Sequence, residues 1–86
     1  KVIFVDVDET LIINKKVNSD LCDWLILKYA DGYQINVWSM AGQKHAEDAV
    51  DSSGIKHIVS NTLSKPGYIV DDMGWRWTQY TKAIQP

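Results

Sequence analysis

The sequence predicts one small α/β domain built on a mostly parallel sheet. Short apolar runs alternate with amphipathic segments, and several of these runs end in polar or acidic residues. The first run, residues 2–6, is apolar almost throughout, as is typical of a buried parallel strand. With 86 residues and no repeat, low-complexity tract or long linker, we expect a single domain over residues 1–86.

Turn and capping residues set the expected element boundaries. Asn14-Lys15 lies between two apolar runs, which predicts a small hairpin. Asn18-Ser19-Asp20 offers capping side chains for the start of a first helix, Asp31-Gly32 is placed to end it, and a second helix is expected to stop before Gly54. In chain order we expect strand one at 2–6, the hairpin at 11–17, a helix at 18–31, strand two at 34–38, a helix at 41–51, strand three at 55–59, strand four at 68–71, and a final segment at 75–84 that forms a strand, a helix or both.

Composition argues against several classes of protein. The net charge is -2 with charges of mixed sign, so charge does not indicate nucleic-acid binding. No apolar run approaches the length of a membrane helix, so no membrane partner is expected. The single cysteine, Cys22, cannot form an internal disulfide, and it is expected to be a packed thiol. We therefore expect a cytoplasmic protein.

Polar residues follow three of the predicted strands. Asp6 and Asp8 follow strand one, Ser39 follows strand two, and Asp71-Asp72 closes strand four. The carboxyl ends of parallel strands share one edge, where open sheets bind ligands. Neither Asp6 nor Asp8 has a lysine or arginine close by in sequence, and a buried charge needs a partner. Mg²⁺ binds carboxylates together with waters and phosphate oxygens, so the pattern predicts phosphate chemistry on a metal.

The segment Asp6-Val7-Asp8-Glu9-Thr10 resembles the first motif of the haloacid dehalogenase (HAD) superfamily, aspartate-x-aspartate-x-threonine after the first strand. Residues 35–39 resemble its second motif, a strand ending in serine or threonine. Lys65 is the candidate for the third, and Asp71-Asp72 resembles the acidic fourth. The resemblance implies a small Rossmann-like three-layer sandwich with a mostly parallel sheet of four to five strands. No segment is long enough for a cap domain.

The resemblance also implies a Mg²⁺-dependent phosphatase, which hydrolyses phosphomonoesters through an aspartyl-phosphate. Asp6 would be the nucleophile, and Asp8 the general acid and then the base for water. Ser39 would donate a hydrogen bond to the phosphoryl oxygens. Thr10 would mainly order the loop.

The same resemblance implies the metal ligands. Asp6, the backbone carbonyl of Asp8 and the carboxylate of Asp71 would hold Mg²⁺. Asp72 would lie behind these ligands or contact the metal through a bound water molecule. The metal would shield the nucleophile from an anionic substrate.

A lysine would supply the remaining positive charge, and two lysines are candidates. Lys65 fits the motif order, but an extended run from Lys65 to Asp71 covers ~20 Å and would leave the lysine at the wrong end of strand four. Lys44, at the start of the second helix, is the alternative. His45 and His57 lack metal-like spacing and are expected on a solvated surface.

Three functional interpretations follow. The first is the phosphatase, with a phosphorylated substrate that includes macromolecules, because cap-less HAD proteins often act on large substrates. The second is a HAD-fold binding or regulatory module without turnover. The third is a receiver-like phospho-acceptor domain, which is less favoured because receivers carry the acidic pair on strand one and the accepting aspartate mid-chain. The tryptophans of Trp75-Arg76-Trp77 are expected to close the core, in preference to stacking on a base.

Overall fold

A three-stranded parallel sheet forms the centre of the computed structural model, which describes residues 1–86. The elements are β1 (Val2–Asp6), β2 (Ile12–Ile13), β3 (Lys16–Val17), α1 (Ser19–Ala30), β4 (Gln34–Ser39), α2 (Gln43–Ser53), a 3-10 helix (Lys56–Ile58), β5 (Val59–Ser64) and a second 3-10 helix (Gly74–Tyr80). The predicted α/β class is confirmed, and no cap domain is evident. No helix is both long and apolar enough to span a membrane.

The sheet has the order β1-β4-β5, and its core lies on one face. Because both crossovers step in the same direction, right-handed connections place α1 and α2 on the same side of the sheet. Buried side chains of both helices, such as Leu25 and Val50, accordingly join Val5 and Val37 of the strands in one cluster. The sheet is thus covered on one face in two layers, whereas the resemblance implied three.

Local signals for the turns and caps are confirmed. Asn14 and Lys15 have φ values of 51° and 64°, the left-handed conformation that a two-residue hairpin turn between β2 and β3 requires. The side chain of Asn18 accepts a hydrogen bond from the backbone N–H of Leu21 and caps α1. Gly54 ends α2 in a left-handed conformation.

Strand three is displaced from its predicted position. Residues 56–58 form a 3-10 helix, and β5 runs through the more polar residues 59–64. The side chains of Ile55 and Ile58 are buried in the hydrophobic core although neither residue lies in a strand. The polar run is accommodated because the Asn61 side chain donates to the Asn36 side chain across the sheet at 2.8 Å. β5 therefore ends at Ser64, five residues beyond the end of the predicted interval 55–59.

The fourth strand, predicted at 68–71, is not formed, and the sheet has three strands instead of four to five. Tyr68 and Val70 are almost fully exposed. Since β5 already ends at the carboxyl edge, a parallel strand at 68–71 would require the chain to return about 10 Å along the sheet and also to move at least about 5 Å sideways to a free edge. The three steps from Lys65 to Tyr68 cover at most about 10 Å. With only Pro66 and Gly67 between them, Lys65 at the carboxyl edge leaves too little chain for a parallel strand at 68–71.

The segment after Lys65 contributes little to the core. Its hydrogen bonds stay within the segment, as in the Thr81 N–H to the carbonyl of Thr78, 2.9 Å. Trp75 and Trp77 are exposed in the second 3-10 helix, so the expectation that they close the core is wrong. Of the alternatives for the final segment, no strand forms, and the helix is a 3-10 helix that ends at Tyr80.

Candidate active site

Three parallel strands deliver polar residues to one edge of the sheet. Asp6 ends β1, Ser39 ends β4, and Lys65 follows β5 directly. The register pairs Asp6 with Trp38 and Ser39 with Ser64, so the three strands end at the same level. The backbone N–H of Lys65 also donates to the carbonyl of Ser39 at 3.0 Å. The edge therefore joins residues far apart in sequence.

The carboxylate of Asp6 has a donor on each oxygen. Lys65 Nζ lies 3.1 Å from Oδ1, and the hydroxyl of Thr10 donates to Oδ2 at 3.3 Å. Lys65 Nζ is also 5.8 Å from the ring centroid of Trp38. The Asp6 and Lys65 side chains are 35% and 28% exposed, which keeps the pair accessible from solvent. An ion pair with these donors holds the carboxylate in one orientation.

A tight loop after β1 aims these groups. Thr10 N–H donates to the Val7 carbonyl at 3.1 Å, and Leu11 N–H to that of Asp6 at 3.2 Å. Glu9 turns the chain with a φ of 60°, a left-handed conformation that is uncommon for a side chain of this kind. The Asn18 side chain donates to the Thr10 carbonyl at 3.1 Å, which ties the loop to the start of α1.

Of the two candidate lysines, the structure brings Lys65 to Asp6. Lys44 instead forms an ion pair with Asp48 one turn along α2, Nζ to Oδ1 3.0 Å, with its side chain 82% exposed. The hydrogen bond to Asp48 and the negative charge of that residue raise the pKa of Lys44 above its ordinary value. The reach problem that made Lys44 an alternative disappears because no strand forms at 68–71.

Ser39 is buried, and its hydroxyl oxygen accepts a hydrogen bond from the backbone N–H of Ala41 at 3.0 Å. It thereby orders the turn that leads into α2, whose N-cap residue is Gly42. The hydroxyl proton of Ser39 goes to no protein acceptor. The N-cap of α2 is therefore not Ser39, whereas its expected role as a phosphate donor is compatible with this arrangement.

Asp8 points to a residue that sequence reasoning left on the solvated surface. His45 Nε2 lies 3.0 and 3.1 Å from the two carboxylate oxygens of Asp8. Both side chains line a cleft of about 240 Å³ between the hairpin and α2, together with Ile12 and Ala49. The position of His45 in the sequence could have indicated this contact, because the residue lies in the first turn of the helix that follows β4, close to the edge where the strands end.

The structure does not bring Asp71 and Asp72 to Asp6 and Asp8. Both are exposed, and Asp71 Oδ1 accepts from the backbone N–H of Met73 at 2.7 Å. No three His, Cys, Asp or Glu side chains converge into a group that could hold a metal. The oxygen donors of Asp6 and Asp8 fit Mg²⁺ in kind, since Mg²⁺ uses one or two carboxylates besides waters and phosphate. The set is one carboxylate short of that implied by the resemblance.

Comparisons with known proteins identified no relative of this chain. No family model matches the chain, and no significant match was found among curated proteins or solved structures.

Proposed function

We propose that this chain is a Mg²⁺-dependent phosphomonoester hydrolase that acts through an aspartyl-phosphate on Asp6. The observation that carries the proposal is the contact between Asp6 and Lys65 at the carboxyl edge of three parallel strands. A carboxylate nucleophile beside a cation at this edge suits attack on an anionic phosphate. The proposal requires only this edge of the sheet. It does not require the fourth or fifth strand of the Rossmann-like prediction.

Each residue of the edge has one task in this proposal. An oxygen of Asp6 forms a bond to phosphorus as the bond to the leaving oxygen breaks, and Asp8 gives that oxygen a proton. Asp8 then takes a proton from the water that attacks the aspartyl-phosphate, which releases phosphate and restores Asp6. Lys65, with three N–H donors, can hold both Asp6 and a phosphoryl oxygen. Ser39 donates its free proton to the phosphoryl group, and Thr10 keeps Asp6 oriented.

Mg²⁺ belongs to the proposal through the donor set. Asp6 and the backbone carbonyl of Asp8 would hold it, and when bound it offsets the charge repulsion between carboxylate and phosphate. Asp71 would join as a third ligand and Asp72 through water if residues 66–72 fold back to the edge. The six steps from Lys65 to Asp71 can cover roughly 20 Å, so such a loop is within reach.

The substrate class is a phosphorylated molecule with an accessible phosphate, including macromolecules. The basis is the open site, since no cap domain lies over the edge and the Asp6–Lys65 pair is partly exposed. A net charge of -2 does not favour a nucleic-acid chain as the partner. A cytoplasmic location is part of the proposal.

Thermal unfolding with Mg²⁺ and beryllium fluoride tests the site without a known substrate, because beryllium fluoride on an aspartate mimics the phosphorylated enzyme. A ligand at a hundredfold its Kd adds ~2.7 kcal/mol, which raises the Tm of a small domain by several degrees. We expect the rise only with both additives, and we expect Asp6→Asn to lose it while remaining folded. Asp23→Asn, an exposed acid on α1, is the matched control. An equal rise in Asp6→Asn would contradict the covalent mechanism.

A HAD-fold module without turnover is the second candidate. The position of Asp71 favours it, since the third carboxylate is engaged in a local turn away from Asp6. Such a module would show no rise in Tm with Mg²⁺ and beryllium fluoride and would hydrolyse no phosphomonoester. Slow loss of a phosphoryl group from Asp6 would instead identify the receiver-like domain.

A further inference from the structure

The side chain of Asp8 has one protein partner, and that partner is His45. The imidazole Nε2 is nearly equidistant from the two carboxylate oxygens, at 3.0 and 3.1 Å. Asp8 lies in the loop after β1, and His45 lies in the first turn of α2. The contact therefore fixes the direction of the Asp8 side chain from the helix α2, which is separate from the loop that carries Asp8.

The contact between Asp8 and His45 is expected to contribute little to the stability of the fold. Both side chains are partly exposed, 42% for His45 and 68% for Asp8. Ion pairs at such exposure contribute little to folding. The chain also offers an internal comparison, because His57, the other histidine, is exposed and makes no side-chain hydrogen bond.

We propose that His45 is a positioning residue that holds Asp8 for proton transfer to the leaving group. The role requires only an N–H at Nε2, which a neutral imidazole supplies in one tautomer. The pair lines the cleft of about 240 Å³ between the hairpin and α2, so the oxygen of a leaving group seated there would meet the protonated carboxyl group of Asp8, which gives up its proton and becomes the carboxylate that later accepts one from water. This inference rests on the proposed phosphatase function and assigns a residue to its acid step.

Two phosphate esters that differ in leaving group separate this role from a structural one. The para-nitrophenolate group departs without a proton, whereas phenolate departs more slowly and depends more on a general acid. With Mg²⁺ present, we expect His45→Leu to lower kcat/KM for phenyl phosphate about tenfold, a part of the 10²–10⁴ that general acids contribute, and for para-nitrophenyl phosphate by less than about twofold. His45→Gln keeps an N–H near the same place and should recover most of the loss. His57→Leu is the matched control and should leave both values unchanged.

The Asp8→Asn background makes the test independent of any general effect on folding. If His45 acts through Asp8, adding His45→Leu to Asp8→Asn should cause no further selective loss on phenyl phosphate. An equal fall on both esters, or no fall on either, would overturn the positioning role while Asp6-dependent hydrolysis upheld the proposed function. Failure of the native chain to hydrolyse either ester, together with no response to beryllium fluoride, would overturn the proposed function and this role with it.

Discussion

At the scale of single residues, the candidate site depends on pairing opposite charges that are far apart in sequence. Lys65 and Asp6 are separated by most of the chain, yet their side-chain atoms lie 3.1 Å apart. Thr10 and Lys65 occupy different oxygens of Asp6, so the carboxylate is held from two sides. Partial exposure leaves the same groups open to an incoming phosphate.

Replacing Lys65 by methionine should affect chemistry far more than stability. The variant keeps the length of the side chain but removes the cation, and loss of one charge-stabilising donor typically costs about 10²–10³ in rate. Because a partly exposed ion pair contributes little, the free energy of unfolding should change by less than about 1 kcal/mol. Hydrolysis of para-nitrophenyl phosphate and thermal unfolding measure the two effects. Lys44→Met, which also loses an ion pair, is the control; equal activity losses in the two variants would exclude a specific role for Lys65.

At the scale of elements, α1 and α2 hold the strands from one face, and the strands in turn aim the loops. Leu25 of α1 and Ala46 of α2 are fully buried in the same cluster as Ile35 of β4. The loop after β1 is attached to α1 through Asn18 and to α2 through His45. Packing of the helices therefore determines where Asp6 and Asp8 lie.

Leu25→Ala should destabilise the fold strongly, because the truncated side chain leaves a cavity between α1 and the sheet. Core leucines replaced by alanine cost about 2–5 kcal/mol. Leu27→Ala, on the exposed side of the same helix, should change the free energy of unfolding by no more than about 0.5 kcal/mol. Urea denaturation measures both variants. Similar losses at the two positions would mean that α1 does not pack on the sheet by the face described.

At the scale of the whole molecule, the stability of the domain should depend on pH through a group that takes no part in the site. Burial, and secondly the charge of Asp23, raise the pKa of the Cys22 thiol above its ordinary value of 9.0. The folded state therefore holds this proton more tightly than the unfolded chain does. The contribution is complete below pH 9.0 and is lost as the pH rises through the higher pKa of the folded state.

Urea denaturation at pH 8 and pH 10 tests this dependence. We expect the native chain to lose more stability between the two values than Cys22→Val, since valine carries no proton and fills a similar space. The comparison removes the contribution of lysines and tyrosines that also titrate in this range. An identical pH dependence in both proteins would show that the thiol ionises as freely when folded as when unfolded.

The sequence predicted the turns and caps correctly because each depends on the backbone preference or side chain of one or two residues. The hairpin at Asn14-Lys15 needs two residues that tolerate positive φ, and Asn18 caps α1 through a bond to Leu21 three residues on. An apolar run predicts a strand well when the run is buried, as in β4; β1 forms although Val2 and Phe4 are exposed, because it pairs along its length with β4. The same signal failed at 68–71, because an apolar run becomes a strand only when the chain can reach a free edge.

The sequence by itself determined the α/β class, the turns and caps, and the placement of Asp6 and Ser39 at strand ends. These features depend on hydrophobic period and on backbone preferences of single residues, which act over a few positions. Only the tertiary structure decided that β5 ends at Ser64, that Lys65 meets Asp6 and that His45 meets Asp8. Those outcomes depend on how β5 pairs with β4 and on which face α2 packs, and such contacts between distant segments leave no local signal in the chain.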